Sequence, residues 1–145
     1  MKNKEAPGMS LIVKSVTRLT AGLILIYGIY IVFRGHIGPG GGFAGGVIIA
    51  LSLVHLMLAF GKDVVLKRLD EARGIIISSL GALAFLILGI VGFLGFKAPF
   101  LKERFEHFSA GLIPIYDVVI GVLVSSGLFI TFLALVLLTG KREKK

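Results

Sequence analysis

Apolar residues fill this chain in four long blocks, and the charges lie between them. No Asp, Glu, Lys or Arg occurs from Leu19 to Phe33, from Phe43 to Phe60, from Gly74 to Phe96, or from Val118 to Thr139. Crossing the hydrocarbon core of a bilayer takes about 20 apolar residues in helical form. The third and fourth blocks meet that alone, and the second does once its glycine-rich start is counted. The first does if Leu11 to Arg18 belongs to the same helix, where Lys14 and Arg18 share a face and can snorkel to the headgroups. The pattern predicts an all-α integral membrane protein, a single four-helix membrane domain over residues 1–145. Its helices are expected at about 11–33, 42–60, 74–96 and 112–139, with Ser10 as the first N-cap. The fourth exceeds one span, so it should tilt, protrude or bend near Pro114.

The segments between the blocks carry their own patterns. Residues 1–9 are a polar tail, and no small-residue cleavage pattern follows the first apolar run, so no cleavable signal peptide is expected. In the 61–73 loop, Val64, Val65, Leu66 and Leu69 stand among charges, which suits a short interfacial segment. Between Lys97 and Gly111, Leu101, Phe105 and Phe108 recur at helical spacing while Lys102, Glu103 and Glu106 face elsewhere. This predicts a short amphipathic helix at about 99–108, lying on the outer surface or on a partner.

Composition strengthens the membrane reading. The 145 residues are 56% hydrophobic and only 17% charged, with a mean hydropathy of +0.97. A soluble domain of this size needs a polar shell that such a chain cannot supply. With no cysteine, disulfides, thiolate metal sites, iron–sulfur ligation and a Cys nucleophile are excluded. Asn3 is the one asparagine and glutamine is missing, which leans towards a heat-adapted source.

The formal net charge is +8. Its distribution points to topology rather than to nucleic acid, for which no binding is expected. Four spans place the N-terminus, the 61–73 loop and the C-terminus on one side. That side holds Lys2, Lys4, Lys14, Arg18, Lys62, Lys67, Arg68, Arg73, Lys141, Arg142, Lys144 and Lys145, twelve of the sixteen basic residues. The other side holds Arg34, Lys97, Lys102 and Arg104. By the positive-inside rule both termini are expected in the cytoplasm.

The most distinctive stretch is the outer turn from Arg34 to Gly42. Gly40, Gly42 and Gly45 spell G-x-G-x-x-G, but a dinucleotide site needs a preceding strand and a βαβ unit, and here membrane helices flank the motif. No G-K-[ST] follows, so a P-loop is excluded too. Gly38, Pro39, Gly40, Gly41 and Gly42 make a turn that tolerates positive φ. Gly41 with Gly45 and Gly42 with Gly46 are i, i+4 pairs that admit a close helix. Packing alone accounts for this stretch; a turn that also lines a polar cavity is the second reading. Gly121 with Ser125, and Gly127 with Thr131, give the fourth helix small contact faces.

Three ionisable residues are candidates for an ion path. His36, in the outer turn, is either an interfacial histidine or a titrating group. His55 lies inside helix two, about 9 Å from Gly61 at the helical rise, and should face protein or water. Asp117 is the acid that abuts a span outside the charged loops, either at the outer mouth or one turn inside. Proton or cation transport needs a continuous file of such groups, and one histidine and one acid at opposite ends do not make one. No residue is assigned to catalysis or to a metal, no cofactor is expected, and any ion path should be completed by neighbours.

The segment His36-Ile-Gly-Pro-Gly-Gly-Gly-Phe43-Ala-Gly-Gly46 resembles a signature of the MnhB (MrpB) family, one of the subunit families of the Mrp-type multisubunit Na⁺/H⁺ antiporters. Ile113-Pro-Ile-Tyr-Asp-Val118 resembles that family's second recurrent segment, and the likeness covers most of residues 10–140. The resemblance implies a multi-pass subunit of the cytoplasmic membrane, with other membrane subunits and the lipid bilayer as partners and Na⁺ and H⁺ as the ions moved. Related modules occur in archaeal membrane-bound hydrogenase and sulfur-reductase complexes, and the chain is not expected to be an enzyme alone. Two other functions stand beside this one: a purely structural membrane subunit, and an autonomous four-helix transporter. The last is disfavoured, because such transporters use a carboxylate in the first helix and none lies between Leu19 and Phe33.

Overall fold

The computed structural model of the protein describes residues 9–61, 71–94 and 113–142. Those residues form four α-helices: α1 (Leu11–Arg34), α2 (Gly42–Phe60), α3 (Glu71–Leu94) and α4 (Ile113–Arg142). All four are long and apolar enough to cross a membrane. The amphipathic segment expected at 99–108 and the interfacial segment around 64–69 lie outside the described residues.

Local chemistry sets most of the helix ends. Ser10 caps α1 by accepting from the Val13 amide. α2 ends at Gly61, whose φ of 86° suits glycine and whose amide donates to the Met57 carbonyl. α3 begins at Glu71 rather than at the first charge-free residue, Gly74. Helix formation does not stop where charges begin, because the backbone hydrogen bonds of a helix form whatever side chain the residue carries. At the other extreme α4 runs past Thr139 to Arg142. Pro114 is the second residue of α4, where its missing amide disrupts no helical bond.

The helices stand in an open row, in the order α1, α2, α4, α3. α1 and α2 are antiparallel, with Gly28 against Gly45 and Ala21 beside Ser52. α2 and α4 are parallel: Gly46 meets Gly121 near one end, and Met57 packs with Phe129 and Leu133 nearer the other. α3 returns antiparallel on α4, bringing Gly81 to Leu123 and Phe85 edge-on to Tyr116. The start of α1, the end of α2, the start of α3 and the end of α4 therefore share one end of the molecule. We call it the Phe60 end and the opposite one the Gly42 end.

Burial follows from this order. A third of the apolar window of α2 is buried, against 6% for α3 at the edge of the row. Leu80, Leu83, Leu86 and Ile87 of α3 all lie open. Such a surface suits lipid or another protein as solvent, not water. The buried core is correspondingly small, centred on Met57, Phe129 and Leu133 between α2 and α4.

Candidate functional site

The site is built where α1 turns into α2 at the Gly42 end. After Arg34 the chain makes two tight bonds, from the Ile37 and Gly38 amides to the Arg34 carbonyl. It then reverses through Gly40 and Gly41, at φ 147° and 104°. These values fall where side chains are strained, so glycine is required there. The Gly41 amide closes the turn by donating to the Ile31 carbonyl at 3.3 Å.

Helix α2 starts with no side-chain cap from its own N-cap residue, Gly41. The cap comes from another helix. Asp117, in the second turn of α4, accepts the Gly42 amide on Oδ1 at 2.9 Å. The first amides of a helix have no intrahelical acceptor, and a carboxylate there also complements the helix dipole. In a bilayer, where water is scarce, satisfying such a donor matters more than in a soluble protein.

Glycine lets the carboxylate in. A Cβ on Gly35 would collide with Asp117 Oδ2, and one on Gly42 would collide with the Asp117 carbonyl oxygen. On Gly41 a Cβ would stand 3.1 Å from Oδ1. These three residues wall a slot that fits the Asp117 side chain. Its other oxygen, Oδ2, is buried with no hydrogen-bond partner among the described residues. Leaving a buried acceptor unpaired is costly, more so when it is charged. The carboxylate thus gives one oxygen to the fold and keeps the other unbonded among the described residues.

The remaining sequence candidates divide. His36 lies in the same turn, next to Gly35, and its Nδ1 is likewise buried without a hydrogen-bond partner among the described residues. His55 is elsewhere: thirteen residues along α2 from Gly42, it stands about 20 Å away at the helical rise. The structure joins Asp117 to the glycine turn that holds His36 and leaves His55 apart.

Gly45 and Gly46 serve two different neighbours. Gly45 faces α1, where a Cβ would sit 2.8 Å from the Gly28 carbonyl oxygen and 2.9 Å from the Val32 amide. Gly46, like Gly42, faces α4, where a Cβ would sit 2.8 Å from the Gly121 carbonyl oxygen. Phe43 points outward, 67% exposed, beside the glycines that pack. Gly127, read as part of a contact face, has nothing within 4 Å of its would-be Cβ. Three residues carry no individual role in the sequence reading: Gly35, which shapes the slot, and in the α1–α2 contact Gly28, which lets α2 approach, and Ser52, whose hydroxyl donates to the Ala21 carbonyl at 2.8 Å. Gly28 and Gly35 are small residues in or next to an apolar helix, the one signal that could have pointed to them.

Known proteins share this architecture. A family model described as a domain related to the MnhB subunit of Na⁺/H⁺ antiporter matches residues 12–130. The chain is 37% identical over 98 residues to a Na⁺/H⁺ antiporter subunit of Bacillus subtilis, covering 68% of this chain and 67% of that one. It is 41% identical over 75 residues to a protein of Staphylococcus epidermidis designated antiporter subunit mnhB2, covering 50% and 53%. Among solved structures, a chain of the membrane-bound sulfane sulfur reductase, an archaeal respiratory membrane complex, superposes with a TM-score of 0.69 at 28% identity. That match covers 88% of this chain and 57% of the other.

Proposed function

The chain belongs to the family of MnhB-related subunits of Na⁺/H⁺ antiporters, and from that premise we propose that it is one membrane subunit of an Mrp-type ion-translocating module. Its partners are the other membrane subunits of that module, and the ions moved by the whole are Na⁺ and H⁺. The observation that carries the reading is the bond from the Gly42 amide to Asp117. It ties together the two segments that resemble the family's signatures, in the part of the chain that the family model matches.

Within the module, Asp117 does two things. Oδ1 fastens the start of α2, and the buried Oδ2 borders the route of the ion. Asp117 and His55 are about 20 Å apart along α2, too far for a proton to pass between them without groups from elsewhere. Among the described residues no three His, Cys, Asp or Glu side chains gather that could hold a metal ion. A cation beside Asp117 therefore draws further oxygens from backbone, water or a neighbour. The subunit is not a catalyst by itself, and whatever redox chemistry an archaeal respiratory assembly performs belongs to other chains.

The charge pattern supports a cytoplasmic Phe60 end. Lys14, Arg18 and Arg73 lie there with the basic end of α4, and Arg34 lies at the other end. A purely structural role is the second reading, favoured by the use of Oδ1 as a helix cap. The test is purification of the native assembly through a tag on this chain, followed by liposome flux of the assembly and of the chain alone. Co-purification of antiporter-like subunits, with Na⁺-dependent proton movement only in the assembly, is expected. Na⁺-dependent proton movement by the pure chain would overturn the partner requirement.

A further inference from the structure

The face of α2 turned away from α1 and α4 is apolar except at one position. Leu51 and Leu58 are 57% and 54% exposed. His55 follows Leu51 by four residues and precedes Leu58 by three, so it shares their stripe. The neighbouring helices use other faces: Gly45 and Ser52 serve α1, and Gly46 and Met57 serve α4. No side-chain hydrogen bond joins the His55 imidazole to any described residue.

Depth makes this position unusual. The 19 residues of α2 extend about 28 Å, close to the thickness of the hydrocarbon core. His55 lies about 9 Å inside its Gly61 end. Leu51 and Leu58 can face lipid at no cost, whereas an imidazole cannot. Its ring is also too short to snorkel that far, as Lys and Arg side chains do. Among the described residues, α1 and α2 contain no acid, and Asp117, the acid of α4, is engaged at Gly42 about 20 Å away.

Resting on the reading of this chain as one subunit among several, we propose that the Leu51–His55–Leu58 face of α2 seats a transmembrane helix of a neighbouring subunit, and that this helix brings a carboxylate to His55. The two leucines, a turn to either side, form a ridge on which a second helix packs. The imidazole N–H supplies the donor. The choice of a carboxylate follows from the charges nearest α2 at this end, where Lys14 and Arg18 stand in the first turns of the adjoining α1 and Arg18 lies 5.5 Å from the Phe60 ring. An anionic partner complements that field, and a cationic one is repelled by it.

The experiment uses the assembled native complex with a photo-crosslinking residue at Leu51 or at Leu58, both exposed in this chain. The expected product is a covalent adduct with another subunit, mapped by mass spectrometry to a transmembrane segment that contains Asp or Glu. A second arm compares His55→Gln, which keeps a donor, with His55→Leu, which removes it. Recovery of the complex should be near wild type for the first and about tenfold lower for the second, because the partner's carboxylate is left unpaired. Adducts to lipid alone, to a second copy of this chain, or to a helix without an acid would each overturn the proposal, as would equal recovery of the two variants. If the complex still co-purifies in those cases, the subunit reading stands and this inference alone fails. If no other subunit co-purifies with the wild-type chain, both fail.

Discussion

The Gly42 amide donates to Asp117 Oδ1 at 2.9 Å across 75 positions of the chain. Through this bond a side chain of α4 becomes the cap that α2 lacks in its own sequence. It also fixes the height of the carboxylate, level with the first residue of α2.

Removing the cap should loosen the fold without touching any apolar contact. Asp117→Ala leaves the Gly42 amide unpaired, and loss of a helix cap costs about 0.5–2 kcal/mol. Asp117→Asn keeps an acceptor oxygen in the same place. Thermal unfolding of the purified complex in detergent should therefore rank wild type and Asp117→Asn together, with Asp117→Ala below them. Equal midpoints for all three would mean that the cap contributes nothing to stability.

Two glycines of this protein should respond oppositely to one methyl group. At Gly45 a Cβ meets the Gly28 carbonyl oxygen at 2.8 Å, and at Gly127 it meets nothing within 4 Å. Gly45→Ala should cost about 1–3 kcal/mol, the range for overpacking. Gly127→Ala should change stability by less than about 0.5 kcal/mol. Recovery of the monodisperse complex reads both. Normal recovery of Gly45→Ala would show that α1 and α2 can move apart at no cost.

The ends of the chain should face the cytoplasm, as the clustering of basic residues at the Phe60 end requires. A protease site inserted after Gly140 should be cut in inside-out vesicles and protected in right-side-out ones. The reverse pattern would contradict the assignment.

The four helices were legible because each apolar block is about as long as a bilayer is thick. Their ends were less so, since α3 begins three residues before its charge-free run and α4 continues into Lys141 and Arg142. The glycines stood out as small residues, but Gly41 and Gly45 do not share a face: Gly41, at the N-cap, lies against Asp117 of α4, while Gly45 meets α1. Adjacent residues point about 100° apart on a helix, so Gly45 and Gly46 call for two neighbours, but the spacing does not say which. The slot around Asp117 was not legible, because nothing in a single sequence couples position 117 to positions 35, 41 and 42. Asp117 itself stood out, as an acid abutting a span. Gly127 shows the opposite failure, a small residue at contact spacing that faces open space.

The most direct test of Asp117's place beside the ion route is Na⁺-dependent proton flux per assembled complex, wild type against Asp117→Asn, measured in liposomes across pH. The substitution retains the oxygen that caps Gly42 and neutralises the carboxylate. The account predicts full assembly with slower flux, or with a higher Na⁺ concentration needed for the same flux. Superimposable flux curves at equal assembly would contradict it and leave Asp117 as a helix cap alone.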